Sequence, residues 1–510
     1  MKIQLLAKKC LFLFMIFLGV NGMAQTNSIN RIYEIWDDQP APNRGKDYGR
    51  IQARGYPADE DWETYSYPIG NGYMGANVFG RTDYERIQIT EKTMANEGLY
   101  GKGGLTNFAE IYLDFGHYNP AGYKRSLNLN EAILYVDYEH HGVKYSREYF
   151  GNYPENVIAI KLSADKEEQI SFKLHAEIPY RRSENEINTR TGKTKAEDDL
   201  ITLSGNIAHF NVNYEGQIKV INEGGKLFTS NNNRNAEIRV EGANFVVILI
   251  AAGTNYELSP EVFLEETDGK KLDGNIFPHE KVTKRINNAA ALGYDKLKQI
   301  HLKDYQNLFS RVSVILSPEV PKITTGELLD NYKNGNSNPY LEELIFHYGR
   351  YLLISSSRKN TLPSGLQGVW SQYLVTPWTG GYWHNINVQM NYWGAFNTNM
   401  AETFIPYIQY HKAYMPKTRK SATSYIEKNH PQALDEDGDN GWAIGSGATA
   451  YVIGGAPSHS GPGTAGFTSK LFWEYFDFTR DTAFLRETGY PALLGASKFL
   501  SKTLKPAENG

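Results

Sequence analysis

Asn385 and Asn387 stand two residues apart in the run His384-Asn385-Ile386-Asn387-Val388-Gln389-Met390-Asn391-Tyr392-Trp393, and Trp370, Trp378 and Trp383 precede it closely. Indole faces stack on the C–H surface of a pyranose ring, while carboxamides donate and accept hydrogen bonds to ring hydroxyls at once. This mixture suits a neutral polyol better than a charged ligand. It marks a sugar-binding cleft lined by Trp378, Trp383, His384, Asn391 and Trp393. An aromatic-rich helix packed inside a large domain has the same composition, so composition alone leaves both readings open.

Other chemistry-bearing residues give weaker patterns. Glu97, Glu110 and Glu402 are the carboxylates nearest to recognisable motifs, and none has a catalytic partner at suitable spacing. His140-His141 lacks a third ligand at zinc-type spacing and fits a solvated turn. Asp435 to Asn440 is acidic, but its glycine is misplaced for a calcium loop, and Ser446 stands where the bidentate glutamate belongs. No metal or other cofactor is expected. Gly70-Asn71-Gly72 lies in a strand context, which favours a turn near a domain interface over a phosphate cradle.

The elements that must position these residues divide the chain in two. Its 510 residues exceed the roughly 250–300 at which single cores stop growing, so at least two domains are expected. From Arg31 to Tyr256, short alternating segments separated by Gly, Asn and Asp predict an all-β sandwich. They include Arg86–Thr90, Ala132–Val136, Val157–Ile160 and Phe210–Tyr214. Phe245–Ile250 is continuously apolar and reads as a central strand.

The pattern changes near Pro278. Asn287–Leu308 predicts one connecting helix, and Asn338-Pro339 begins another, with Leu341, Leu344, Ile345, Tyr348 and Leu352 on its apolar face. Further helices are predicted over Asn387–Glu402, Met415–Lys428, Ser469–Thr479 and Ala492–Leu504, with a long loop over Gly441–Gly466. The expected boundaries are a signal peptide over 1–24, a β-sandwich over 25–280, a helical linker over 281–325 and a helical domain over 326–510.

Lys2, Lys8 and Lys9, the apolar run Cys10–Val20 and the small residues before Gln25 follow the layout of a secretory signal. Cleavage after Ala24 would deliver a periplasmic or secreted protein with no membrane partner. Cys10 is the only cysteine, so the mature chain would hold no thiol for a disulfide, a metal or nucleophilic catalysis. A net charge of -4 gives no electrostatic case for nucleic acid.

Several runs together resemble glycoside hydrolase family 95. They are Pro68-Ile69-Gly70-Asn71-Gly72-Tyr73-Met74-Gly75 with Val78-Phe79-Gly80, Tyr145–Phe150, Asp304-Tyr305 with Leu308–Val312, and Gly349–Arg358. Most specific are Leu362-Pro363 with Leu366–Trp370, and Asn385-Ile386-Asn387 with Met390–Trp393. The resemblance implies an N-terminal all-β sandwich, a helical linker and an (α/α)6 toroid. It also implies inverting hydrolysis of terminal α-L-fucosyl or α-L-galactosyl residues of an oligosaccharide or polysaccharide.

Asn385 and Asn387 match the family's two asparagines, which with an aspartate orient the attacking water. An amide is no strong base, so its part would be to aim the water at the anomeric carbon. Their spacing directs both amides to one side only in an extended segment or a loop entering a helix. The alternative is that they cap a helix starting near Val388.

The family's Ser-Pro-Glu acid and its aspartate are expected beyond Gly510, so the toroid is expected to be only partly present and the chain impaired. Gly441-Trp442-Ala443-Ile444-Gly445-Ser446-Gly447 lacks the histidines and second tryptophan usual there, and Met94–Gly98 departs as well. These departures keep a second function in view, a non-catalytic carbohydrate-binding protein derived from the family.

Overall fold

The computed structural model describes residues 31–45, 47–52, 56–97, 103–180, 190–231, 236–435, 438–455 and 461–504. The expected signal segment lies outside them. Residues 34–254 contribute an antiparallel sheet of nine strands and a second of seven, the predicted sandwich. Phe245–Thr254 pairs with Val157–Ala164 on one side and Val212–Glu223 on the other, so it is central as expected.

Its apolar run is continuous because both of its faces are covered. Val247, Leu249 and Ala251 pack on Val282, Ile286 and Ala289 of helix α1 (His279–Leu292), and the alternate residues Val246, Ile248 and Ile250 are buried on the other face. Buried charges also lie within the sandwich, and Arg81, Arg86 and Arg147 each face a carboxylate. Arg86 makes a fork to both oxygens of Glu110 at 2.8 and 2.9 Å and a third bond to Asp59 at 2.7 Å. Glu110 is thereby a structural carboxylate.

The connecting segment is two helices, not one. Gly293, at φ 75°, separates α1 from α2 (Tyr294–Phe309), a backbone angle that a side chain would resist. Helix α3 (Thr325–Lys333) begins at a reciprocal capping box between Thr324 and Glu327, a Thr-x-x-Glu signature that the sequence reading passed over.

Helix α4 (Pro339–Ser356) starts as expected, with Asn338 accepting from the Tyr340 amide at 2.9 Å. Of its predicted face, Leu341 and Leu344 are buried, but the buried surface extends in another direction. Ile345 is 58% exposed, while Glu343, His347 and Arg350 are buried. The reason is polar: Glu343 accepts from the Leu316 and Ser317 amides, and Arg350 donates to the carbonyls of Leu308, Phe309 and Val312. These side chains secure the end of the linker.

Helix α5 (Asn387–Asn397) stops five residues short of Glu402, and a 3-10 turn over Ala401–Phe404 leads into α6 (Ile405–Asn429). Helix α6 begins ten residues before Met415 and runs through Pro416. Helices α7 (Thr464–Thr479) and α8 (Tyr490–Thr503) follow. On α5, α7 and α8 the side chains of Met390, Trp393, Trp473, Phe478, Tyr490 and Leu494 stand exposed.

The sandwich and the helical part meet at the glycine-rich hairpin Tyr67–Val78. Trp370 donates its indole N–H to the Ile69 carbonyl at 2.8 Å, Tyr351 donates to the Pro68 carbonyl at 2.6 Å, and the Gly72 amide donates to Ser355 at 2.7 Å. A Cβ on Gly75 would stand 2.8 Å from the Trp370 ring, and one on Gly70 would stand 2.6 Å from the Ser355 oxygen. The expected interface turn is therefore a matter of backbone approach.

Lys92, 6% exposed, donates to the carbonyls of Gly72, Ser356 and Leu362. Burial pushes its ammonium down to about 7. Lys92→Met should remove a donor from three carbonyls, of which that of Leu362 keeps Thr361 Oγ1 at 3.1 Å, and cost roughly 3–5 kcal/mol. Urea unfolding checks this, and an unchanged midpoint would remove Lys92 from the joint.

Candidate active site

The segment before α5 is shaped by its main chain. Pro377–Gly380 forms a 3-10 turn in which Trp378 (φ 50°) and Thr379 (φ 62°) are left-handed, a strain of about 1–3 kcal/mol per residue. The turn presents the Trp378 side chain 64% exposed. Behind it a cavity of about 30 Å³ is lined in part by Thr379, Gly380, Tyr382 and Lys92.

Trp383 is half-buried and donates its indole N–H to the Trp378 carbonyl at 2.9 Å. Next, the Tyr382 and His384 amides donate to the carbonyls of Ala448 and Ser446 at 2.7 and 2.8 Å. The Trp383 carbonyl then accepts from the amides of Ile386, Asn387 and Val388 at 3.4, 3.0 and 3.2 Å. One backbone oxygen thus gathers N–H groups at the start of α5.

That arrangement bears on the asparagines. Ile386 is the N-cap, and no side chain caps the helix, so capping is not the task of either amide. Asn385 is exposed in the turn, and Asn387 is half-buried at the first helical position. Neither carboxamide has a hydrogen-bond partner among the described residues. The segment is a loop entering a helix, the conformation that the spacing requires.

The other candidate residues separate into surface and support. Trp393 is 46% exposed beside Met390, about 9 Å along the helix and roughly 120° around it from Asn387. Asn391 points its amide nitrogen at the carbonyls of Ser364 and Gly365, at 3.0 and 2.8 Å, which leaves only its oxygen free. His384 is placed differently from the lining role expected for it. Its ring is fully buried against Tyr407 and Tyr414, with centroids 5.9 and 6.1 Å apart, so it supports the segment from beneath.

Sequence reasoning missed this layer. Tyr407, His411 and Tyr414 recur at helical spacing on α6, where His411 Nδ1 lies 2.8 Å from the Tyr414 hydroxyl. That spacing was the available signal. The carbonyls of Trp383, Ser446 and Ala448 had none, because every residue carries one.

The altered Gly441–Gly447 run is likewise part of the framework. Trp442 is 1% exposed and donates to the Ala492 carbonyl at 2.8 Å, and a Cβ on Gly441 (φ 73°) would strike the Gly495 oxygen at 2.0 Å. Glu402 is ion-paired with Arg311 at 2.8 Å, and Glu97 is exposed. Among the described residues no group of three or more His, Cys, Asp or Glu side chains is placed to hold a metal.

Burial lowers both His384 and His411 to about 3, so both imidazoles are neutral near pH 7. The unfolded chain takes up these protons first, near pH 6.5. Their contribution to stability is therefore complete above that pH and is lost as pH falls toward 3. Thermal unfolding should show a Tm that declines over this range, with a shallower decline in His384→Phe. An identical slope in the variant would exclude His384 as a titrating group.

Comparison with known proteins places this geometry. Residues 293–510 match the glycosyl hydrolase family 95 catalytic domain, and residues 35–98 and 91–259 match the glycosyl hydrolase family 65 N-terminal domain. Alpha-L-fucosidase 2 of Arabidopsis thaliana is 30% identical over 88% of this chain and 58% of its own length. Probable alpha-fucosidase A of Aspergillus niger is 29% identical over 87% of this chain and 59% of its own. The chain thus spans somewhat under two thirds of these relatives.

Among solved structures, one titled "Putative kojibiose phosphorylase from human microbiome" aligns with 94% of this chain and 60% of its own, at TM-score 0.55 and 11% identity. That likeness concerns the fold, a β-sandwich followed by helices that fit an (α/α) toroid. The helical region, with the Asn385–Trp393 run inside it, matches the family 95 catalytic domain, and together with the fucosidase relatives this supports an assignment to glycoside hydrolase family 95.

Proposed function

We propose that this chain belongs to an exported glycosidase that removes terminal α-L-fucosyl, or related α-L-galactosyl, residues from oligosaccharide or polysaccharide glycans with inversion. One observation carries the reading. Two carboxamides without hydrogen-bond partners among the described residues, Asn385 and Asn387, stand at a loop-to-helix transition beside Trp378 and Trp383. The names of the relatives, both fucosidases, support the sugar. The signal-like first 24 residues support export.

In this reading Asn385 and Asn387 hold a water molecule and aim it at the anomeric carbon. Trp378, Trp383 and Trp393 offer apolar faces to sugar rings, and the Asn391 oxygen is left to accept from a hydroxyl. His384 contributes by keeping the segment in place. Inversion needs a proton donor across the scissile bond, with the two catalytic groups about 6.5–9.5 Å apart to admit the water. Glu110 and Glu402 are engaged in ion pairs and do not take that part.

The test is hydrolysis of an aryl α-L-fucoside by the protein extended to the length of its relatives. Asn387→Ala should lower kcat by roughly 100-fold or more with KM little changed, as expected for an interaction made chiefly in the transition state. Unchanged kcat would remove the asparagines from the reaction.

A further inference from the structure

A second concave site shares no lining residue with the tryptophan and asparagine face. It is a cleft of about 600 Å³ between the end of the central strand, helix α1, the loop after α4 and helix α6. Its volume falls within the range of small-molecule sites. Lys281 and Arg285 enter it from one turn of α1, and Lys412 enters from α6. Glu257 is the only carboxylate among its lining residues.

The three cations have no ion-pair partner among the described residues. Lys281 donates to the Thr254 carbonyl at 3.1 Å, and Arg285 donates one N–H to the Ala252 carbonyl at 2.9 Å while its guanidinium covers the Tyr73 ring at 4.8 Å. A further carboxylate, Glu91, is buried nearby and is already held by the Thr93 amide and hydroxyl at 3.0 and 2.8 Å. Like charges at i and i+4 repel; Glu91 offsets this in part, and Lys412 brings a third positive charge to the cleft.

Neutral donors accompany the charges. Asn360 and Gln409 bond reciprocally, the Asn360 amide to Gln409 Oε1 at 2.9 Å and Gln409 Nε2 to Asn360 Oδ1 at 2.8 Å. This leaves the Asn360 Nδ2 protons free at the rim. Free carboxamide protons beside an aromatic ring suit sugar hydroxyls, and the cations suit an oxyanion.

We propose that this cleft is a binding site for an acidic oligosaccharide, in which Lys281, Arg285 and Lys412 take a carboxylate or sulfate-ester group and Asn360 donates to a neighbouring hydroxyl. It is a site separate from the hydrolytic face. Only the choice of a saccharide rests on the glycosidase reading; the charge does not. Such a site would hold the acidic part of a branched glycan while its terminal residue is treated elsewhere.

Calorimetry of the full chain tests this without any turnover, so failure of hydrolysis and failure of this site are distinguishable. The probes are trigalacturonate, its neutral methyl ester and a sulfated disaccharide from carrageenan. At least one acidic probe should bind and the ester should not; which one binds identifies the anion. Lys412→Glu, at an exposed position, should weaken binding by about tenfold or more, with circular dichroism unchanged. The same charge change at Lys470→Glu should leave affinity as it was. Equal binding of the ester, no binding of either acidic probe, or equal loss in the two variants would overturn the proposal.

Discussion

The close approach of two backbones at the Tyr67–Val78 hairpin is the constraint on which the rest depends. Glycine at positions 70 and 75 lets Ser355 and the Trp370 ring come within distances that any Cβ would forbid. Once there, the buried carbonyls of both partners must find donors. Trp370, Tyr351 and Lys92 supply them. The attachment is mainly polar and directional, which fixes position more tightly than an apolar contact of the same size would. Sandwich and helices are held in one arrangement because few others would satisfy these groups.

The candidate site inherits its geometry from that joint. Ser371 follows Trp370 directly, and its carbonyl accepts from Gln88 and Thr90 of the sandwich, while Tyr373 accepts from the Asn107 amide. A few residues later the chain enters the left-handed turn at Trp378 and Thr379. Strain there is tolerable because both ends of the turn are fixed. The carbonyls of Ser446 and Ala448 hold the next stretch, and the Trp383 carbonyl satisfies the start of α5. Around Asn385 and Asn387 the backbone amides pair with backbone carbonyls, so neither side-chain amide is drawn into that network.

Much of what resembles the family is architecture. Pro68–Gly75, Gly349–Arg358 and Leu362–Trp370 converge on the joint, where Arg358 also donates from Nη2 to both oxygens of Asp304 at 2.6 and 2.7 Å. The His384–Trp393 run is the exception, since it combines amides without partners among the described residues with an exposed indole. Even there Asn391 and His384 serve as supports. The same sequence feature, a polar residue beside tryptophan, thus covers two different physical tasks, separated by burial.

The chain order of strands and then helices was legible because side-chain period reports it directly, two in the sandwich and near 3.6 beyond Pro278. The asparagine pair and its tryptophans were legible because they exceed what packing requires. The break at Gly293 and the early start of α6 were not, and the buried polar face of α4 depends on partners far away in sequence. Which candidates face solvent was also beyond local pattern. His384 and Asn385 are adjacent in the chain, yet one is fully buried and the other exposed. Sequence determined the residue types available for chemistry. Only the folded chain decided which of them remain unpartnered, because hydrogen bonds to distant carbonyls engage some polar side chains and leave others free.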